Sequence, residues 1–349
     1  MKTKIISVDK NDGKLEEKLT EAAAIIKRGG LVVFPTETVY GLGADATNKE
    51  AAKKIFAAKG RPSDNPLIIH VSEAKHAEKY AFTSETYYLL AKHFMPGPLT
   101  VILKSRDSIP KETRGGLDTV AVRCPENLIA RTLIALSGTP IAAPSANLSG
   151  SPSPTNAQHV IDDMNGRVDM IIDGGAADFG LESTIVKINA DDSLTLLRPG
   201  KITVSDLLQV VDFVHVADAV TDKLAEGEIA LSPGMKYRHY APKAPVLLLD
   251  ANADNAIKYI KNADSKNIAI ISYTEDISDF KNELPGAAIF DFGNRDDEIQ
   301  QAKLLFSILR TADKRDFEII YAPLPKKDGV GLAIYNRMIR AAAHKIIKI

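Results

Sequence analysis

Two cations, Lys59 and Arg61, flank Gly60 and lead into Pro62-Ser63. Paired positive charges beside a polar turn suit phosphate or carboxylate recognition, because charge-assisted hydrogen bonds are the strong ones. Upstream, Thr36-Glu37-Thr38 sets two hydroxyls and a carboxylate directly after an apolar run. Downstream, Pro144-Ser145-Ala146-Asn147 opens a stretch, ending at Thr155, crowded with small hydroxyl residues and prolines and without helical or strand period. Such a segment reads as a functional loop. Ser145 lacks the G-x-S-x-G elbow, the chain has no G-x-x-x-x-G-K-[ST], H-E-x-x-H or C-x-x-C, and its seven histidines are scattered. Neither a hydrolase serine nor a structural metal is indicated. Cations, hydroxyls and amides without a nucleophile still catalyse by positioning and charge stabilisation, as in phosphoryl and nucleotidyl transfer. A competing local reading has Lys59 and Arg61 favouring a helix C-terminus capped by Gly60. Either way both cations are expected in an exposed turn.

The elements that must hold these residues follow from periodicity. Leu31-Val32-Val33-Phe34 reads as a buried strand stopped by Pro35, which cannot donate to a sheet ladder. A short amphipathic helix follows, with Asn48 as N-cap and Ile55 and Phe56 on its apolar face, and residues 65–71 return to strand. Between them, Gly41-Leu42-Gly43-Ala44-Asp45-Ala46 fits a loose G-x-G-x-x-A. Polar residues separate these glycines from the strand, and Asp64 lies in a turn, so a dinucleotide fingerprint is rejected. Helices are expected at residues 15–28, 84–94 and 129–136, and strands at 99–103, 119–123, 141–143, 170–173, 183–188 and 194–197. Residues 1–210 thus form an α/β domain whose strand ends carry Ser, Thr, Arg and Lys. The pattern weakens over residues 211–244, a linker. Within it, residues 232–242 alternate aromatic and cationic side chains, which suits docking on an anionic or nucleotide-bearing site. Residues 245–349 again alternate strand and helix, as in a small doubly wound domain. This second domain shows no phosphate loop and no histidine–carboxylate pair.

With 349 residues the chain can build two cores, and 45% hydrophobic and 26% charged residues are those of a soluble protein. A net charge of −1 exerts no global pull on nucleic acid or anionic membrane. One cysteine, Cys124, excludes an internal disulfide. The first residues lack a signal peptide's apolar run, and no stretch is long enough to span a bilayer. A cytoplasmic location is expected.

Taken together, the motifs resemble the YrdC family in its long, two-domain form. They are Pro35-Thr36-Glu37-Thr38-Val39-Tyr40-Gly41-Leu42, Lys59-Gly60-Arg61-Pro62, Asn65-Pro66-Leu67, Pro96-Gly97-Pro98-Leu99-Thr100, Val120-Ala121-Val122-Arg123, Pro144-Ser145-Ala146-Asn147, Gly180-Leu181-Glu182-Ser183-Thr184 and Leu197-Arg198-Pro199-Gly200, with the linker at 232–242. The resemblance implies a YrdC-like twisted sheet flanked by helices, followed by a smaller Rossmann-like α/β domain. It implies a reaction in which L-threonine, bicarbonate or CO2 and ATP give threonylcarbamoyl-AMP and pyrophosphate. A separate tRNA threonylcarbamoyl transferase complex would then use the product, with weak or no direct tRNA binding and no membrane. By motif, Lys59 and Arg61 would stabilise charge on the phosphates. Thr36, His70, Arg123, Ala143 and Ser183 would surround threonine. Lys59, Ser63, Thr119, Ser145, Asn147, Ser153, Arg198, Tyr237 and His239 would contact ATP. Mg2+ would arrive with ATP, with no direct protein ligand assured. Asn127 stands where the family commonly has histidine, and Lys187 where an acidic residue often ends the strand. Two alternatives compete: a carbamoyl transferase on the same fold, as in hydrogenase maturation, and a non-catalytic RNA-binding module.

Overall fold

The structure, a computed structural model, describes residues 2–222 and 239–349. The first domain is a large mixed sheet. From one edge its strands run Lys4–Ser7, Met170–Asp173, Val32–Phe34, Gly41–Asp45, Ile141–Ala142, Ile68–His70, Thr119–Arg123, Leu99–Ser105, Thr184–Ile188, Leu194–Arg198 and Val214–Val216, with Ala81–Phe82 paired on Leu99–Ser105. Period-two alternation divides its sides. Val32 and Phe34 face a core shared with the helices Leu15–Lys27 and Leu128–Ser137, while Val33 faces a core built with the helix Lys49–Lys59. Asn48 caps that last helix as expected, its side chain accepting from the backbone of Glu50 and Ala51, and Gly60 ends it at φ 61°.

No strand was expected at residues 41–45, yet they form one antiparallel to Val32–Phe34, and the rejection of a strand-to-helix phosphate turn at Gly41 and Gly43 holds. Their purpose is steric: a Cβ on Gly43 would lie 2.6 Å from the Phe34 ring and 2.7 Å from Ile141 Cγ2. The stretch expected as linker from Val211 instead continues the first sheet, since Val214–Val216 pairs in parallel with Leu194–Arg198. The helix Ala157–Met164, the helix Ile277–Glu283 and the final strand Ile346–Lys348 are further elements beyond the sequence expectation, each of eight residues or fewer.

The second domain is a five-stranded, all-parallel sheet ordered Ala288–Asp291, Ile268–Ser272, Ile319–Pro323, Val246–Asp250, Ile346–Lys348. Its helices cover both faces, as a parallel sheet requires. Ala253–Lys261 and Ile277–Glu283 pack on one side, and Glu298–Ala312 and Gly331–Ala341 on the other. The latter pair buries Val39, Phe179 and Leu181 of the first domain in its own core, so the domains share an apolar interface. Around that seam Arg310 donates to Pro152 O (2.7 Å) and to Asp163 (2.6 Å), and Asn336 donates to Val220 O (2.6 Å). Among the described residues no helix is long and apolar enough to cross a membrane.

Gly43→Ala should destabilise the chain by about 1–3 kcal/mol, the usual cost of overpacking a closed core. Thermal unfolding of the variant beside wild type measures it.

Candidate active site

Backbone ladders bring the polar loops together. Tyr40 N donates to Pro154 O, Leu42 N to Pro144 O and Ala146 N to Tyr40 O, which stitches residues 144–155 onto the Gly41–Asp45 strand. Phe179 N and Gly180 N donate to the carbonyls of Glu37 and Thr38, tying in the Glu182-Ser183 corner. The result is a cavity of about 60 Å3. Of the residues singled out by sequence, Thr36, His70, Arg123 and Ala143 line it, as do Arg61, Ser145, Asn147, Arg198 and His239. Glu182, Tyr40 and Tyr240 also line it and carry no assigned role in the sequence reading.

Lys59 corrects the expectation of an exposed turn. It is 3% exposed, and its Nζ donates to the carbonyl of Ser145, to Asn147 O (2.6 Å) and to Asn147 Oδ1 (3.3 Å). The helix C-terminus points inward beneath the 144–155 loop, as Ser149 N donating to Lys59 O shows. Three oxygen acceptors match the three donors of an ammonium. Burial, reinforced by the Arg61 charge, nonetheless drives Lys59 well below the usual lysine range. Arg61 is half-buried and sits over the Phe56 ring at 5.9 Å.

Arg123 is 4% exposed and pairs with Glu37 at 2.6 Å. Its Nε is buried with no hydrogen-bond partner among the described residues. An orphaned donor on a buried guanidinium is costly unless a ligand completes it. Thr36 closes its own turn, donating to Val39 O (2.6 Å) and accepting from the backbone of Thr38 and Val39. His70 sits against Ile141 O at 3.3 Å, and desolvation, then the neighbouring Arg123 charge, push it down to about 3. It is a neutral imidazole at physiological pH. His239 is likewise held at about 3, first by burial and then by Arg61, and its Nε2 has no hydrogen-bond partner among the described residues.

Ser145 Oγ donates to Asn147 Oδ1 at 2.5 Å, so the two side chains form one polar unit. Arg198 donates through Nε to Ser183 O (3.0 Å) and through Nη2 to Ser183 Oγ (3.1 Å), and burial lowers it to about 10. Ser183 itself is behind the wall, its hydroxyl 2.8 Å from Thr100 Oγ1. Ser153 is fully buried and bonded to Glu182. Ser63 is exposed and Thr119 half-buried on its strand, and neither reaches the cavity. Tyr237 lies outside the described residues, with most of the 232–242 segment. Glu37 and Glu182, the two anions of the site, were legible only as letters inside motifs. A carboxylate flanked by small or apolar residues, as in Leu181-Glu182-Ser183, is the signal that could have found them. Cys124 is buried with its thiol pushed up to about 11, so it is inert, as its apolar strand suggested.

A histidine depressed in the folded state lets the unfolded state bind more protons below pH 6.5, so stability falls as pH drops from there toward 3. His70→Gln should flatten that slope between pH 7 and 5 in paired thermal melts.

The cavity is lined by three arginines, hydroxyls and Glu182, with Glu37 behind Arg123, and the chain that builds it is similar to known proteins. Residues 24–200 match the family described as Telomere recombination (Sua5, YciO, YrdC), and residues 202–343 match the C-terminal domain of threonylcarbamoyl-AMP synthase. A threonylcarbamoyl-AMP synthase of Pyrococcus abyssi is 42% identical, covering 96% of this chain and 97% of its own length. One of Bacillus subtilis is 40% identical over the whole of both chains. The crystal structure of P. abyssi Sua5 complexed with L-threonine superposes with a TM-score of 0.88 at 41% identity, covering 99% of this chain and 100% of that one. The chain belongs to the threonylcarbamoyl-AMP synthase family, in its two-domain form.

Proposed function

We propose that this protein is an L-threonylcarbamoyl-AMP synthase, a nucleotidyltransferase that joins the carbamate of L-threonine to the adenylyl group of ATP and releases pyrophosphate. The observation that carries this reading is the Arg123 guanidinium. Glu37 holds one edge of it while the buried Nε is left without a partner, a donor face ready for an amino acid's carboxylate. His70, held neutral, can approach a ligand without adding charge. A relative crystallised with L-threonine supports the same assignment.

Threonine's amine combines with bicarbonate or CO2 to form a carbamate. A carbamate oxygen then attacks the α-phosphorus as the bond to the bridging oxygen of pyrophosphate breaks. No protein nucleophile takes part. Arg61 and Arg198 in the wall, with Lys59 directly behind Ser145 and Asn147, meet the charge that accumulates on the phosphate oxygens. A phosphate beside Lys59 would restore the environment its ammonium needs. Ser145 Oγ, at the cavity wall, could hold Mg2+ arriving with ATP, whose charge would neutralise the phosphates, while the Asn147 oxygens serve Lys59. His239, with an unpartnered Nε2, suits the nucleotide side. The product would pass to a separate tRNA-modifying transferase. A single thiol and ATP as co-substrate fit a reducing, cytoplasmic setting.

Pyrophosphate release from ATP, with threonine and bicarbonate each omitted in turn, tests the reaction. Loss of release on either omission is expected, and release indifferent to threonine would contradict it. Arg123→Lys should weaken threonine binding by about 100-fold, since a point charge cannot replace the guanidinium fork. Binding of a non-hydrolysable ATP analogue, measured alongside, should hold within twofold.

A further inference from the structure

Arg337 belongs to the second domain, on the helix Gly331–Ala341, yet it is fully buried at 0% exposure. Among the described residues, the hydrogen bonds of its guanidinium beyond its own helix reach the first domain, and the group also lies near the Tyr240 ring. Nε donates to Glu182 Oε2 (3.0 Å), Nη2 to Glu182 O (3.4 Å) and Nη1 to Pro199 O (2.6 Å), and the group lies 5.8 Å from the ring centroid of Tyr240. The two anchor points flank the two corners that carry Ser183 and Arg198. These corners touch through backbone: a Cβ on Gly200 would meet Thr184 N at 2.5 Å and Glu182 O at 2.9 Å. With Arg337 on Oε2, Oε1 of Glu182 is left to accept from Ser153. Arg198 is held on Ser183, and among the described residues it makes no ion pair with Glu182.

We infer that Arg337 is a positioning residue contributed by the second domain, acting through Glu182 and the Pro199 carbonyl to orient Arg198 for the nucleotide. It rests on the functional reading above. Without the fork, Arg198 would be the remaining cation whose charge bears on the buried Glu182 carboxylate, and pairing with it would draw that guanidinium from the cavity. Burial would raise Glu182, but the charges of Arg337 and Arg198 together with the Ser153 and backbone hydrogen bonds hold the carboxyl below its ordinary value, so it stays an anion that needs its partners. The seam has other fasteners, including Asn336 on Val220 O, Arg340 on Ala219 O at 2.7 Å and the shared apolar core. Domain association therefore does not hang on Arg337.

Titration calorimetry on the full chain, with a non-hydrolysable ATP analogue and separately with L-threonine, compares wild type with Arg337→Lys. Lysine keeps the charge but cannot reach both Glu182 and Pro199. The analogue's affinity should fall about tenfold while threonine's stays within twofold, a split that a merely structural role does not produce. Unchanged analogue affinity, or both ligands weakening together, overturns the inference. Should that variant fail to fold, Glu182→Gln with Arg337→Met removes both buried charges and carries the same comparison. There, loss confined to the analogue supports the role and retention of both ligands overturns it. A wild-type chain that binds neither ligand removes the functional reading itself. A wild type that binds both, beside an indifferent variant, removes this inference alone.

Discussion

Charge confined in a space that excludes water governs this molecule. Arg123, Arg198, Arg337 and Lys59 are each less than 8% exposed, and each would be too costly to bury unless fixed acceptors surrounded it. The acceptors are supplied: Glu37 for Arg123, Ser183 for Arg198, Glu182 and Pro199 O for Arg337, and the Ser145 and Asn147 carbonyls for Lys59. Fixed acceptors demand fixed loops, and fixed loops explain why residues 144–155 are hydrogen-bonded to Tyr40 and Leu42 instead of running free over the surface. Each cation is thereby aimed before a ligand arrives, which is the condition for electrostatic stabilisation without reorganisation.

The second domain takes part in the same scheme. Its contribution is made at the seam, where Phe306 stacks on Tyr240 at 5.2 Å and the helices Glu298–Ala312 and Gly331–Ala341 present arginines to the backs of the catalytic loops. Gly180 shows how close that approach is, since a Cβ there would meet the Lys303 Cα at 2.7 Å. With Tyr240 and His239 in the cavity wall, the return of the chain from the linker is part of the site's geometry.

Much of this was written in local pattern. The amphipathic period of the helix at Lys49–Lys59, its Asn48 cap and its Gly60 end are local properties and were readable as such. So was the alternation of strand and helix beyond residue 245, and so was the rejection of a dinucleotide turn at Gly41 and Gly43. The types that carry the site, cations beside a glycine and hydroxyls in a proline-rich loop, were also visible. Their family resemblance pointed to nine of the residues that the cavity now gathers.

Tertiary structure alone decided which of those groups face the cavity and which stand behind it. Lys59 looked exposed because a helix C-terminus usually is, and only the loop 86 residues downstream, folded over it, makes it buried. Ser153 and Ser183 read as ligand contacts, yet Glu182 and Arg198 take their hydroxyls first. Glu182 has its partner 155 residues away in another domain. The sequence by itself determined residue chemistry, period and caps, because these depend on neighbours within a turn or two. Burial and pairing of charge depend on distant segments meeting through the sheet order and the domain seam, and that is why they could be known only from the folded chain.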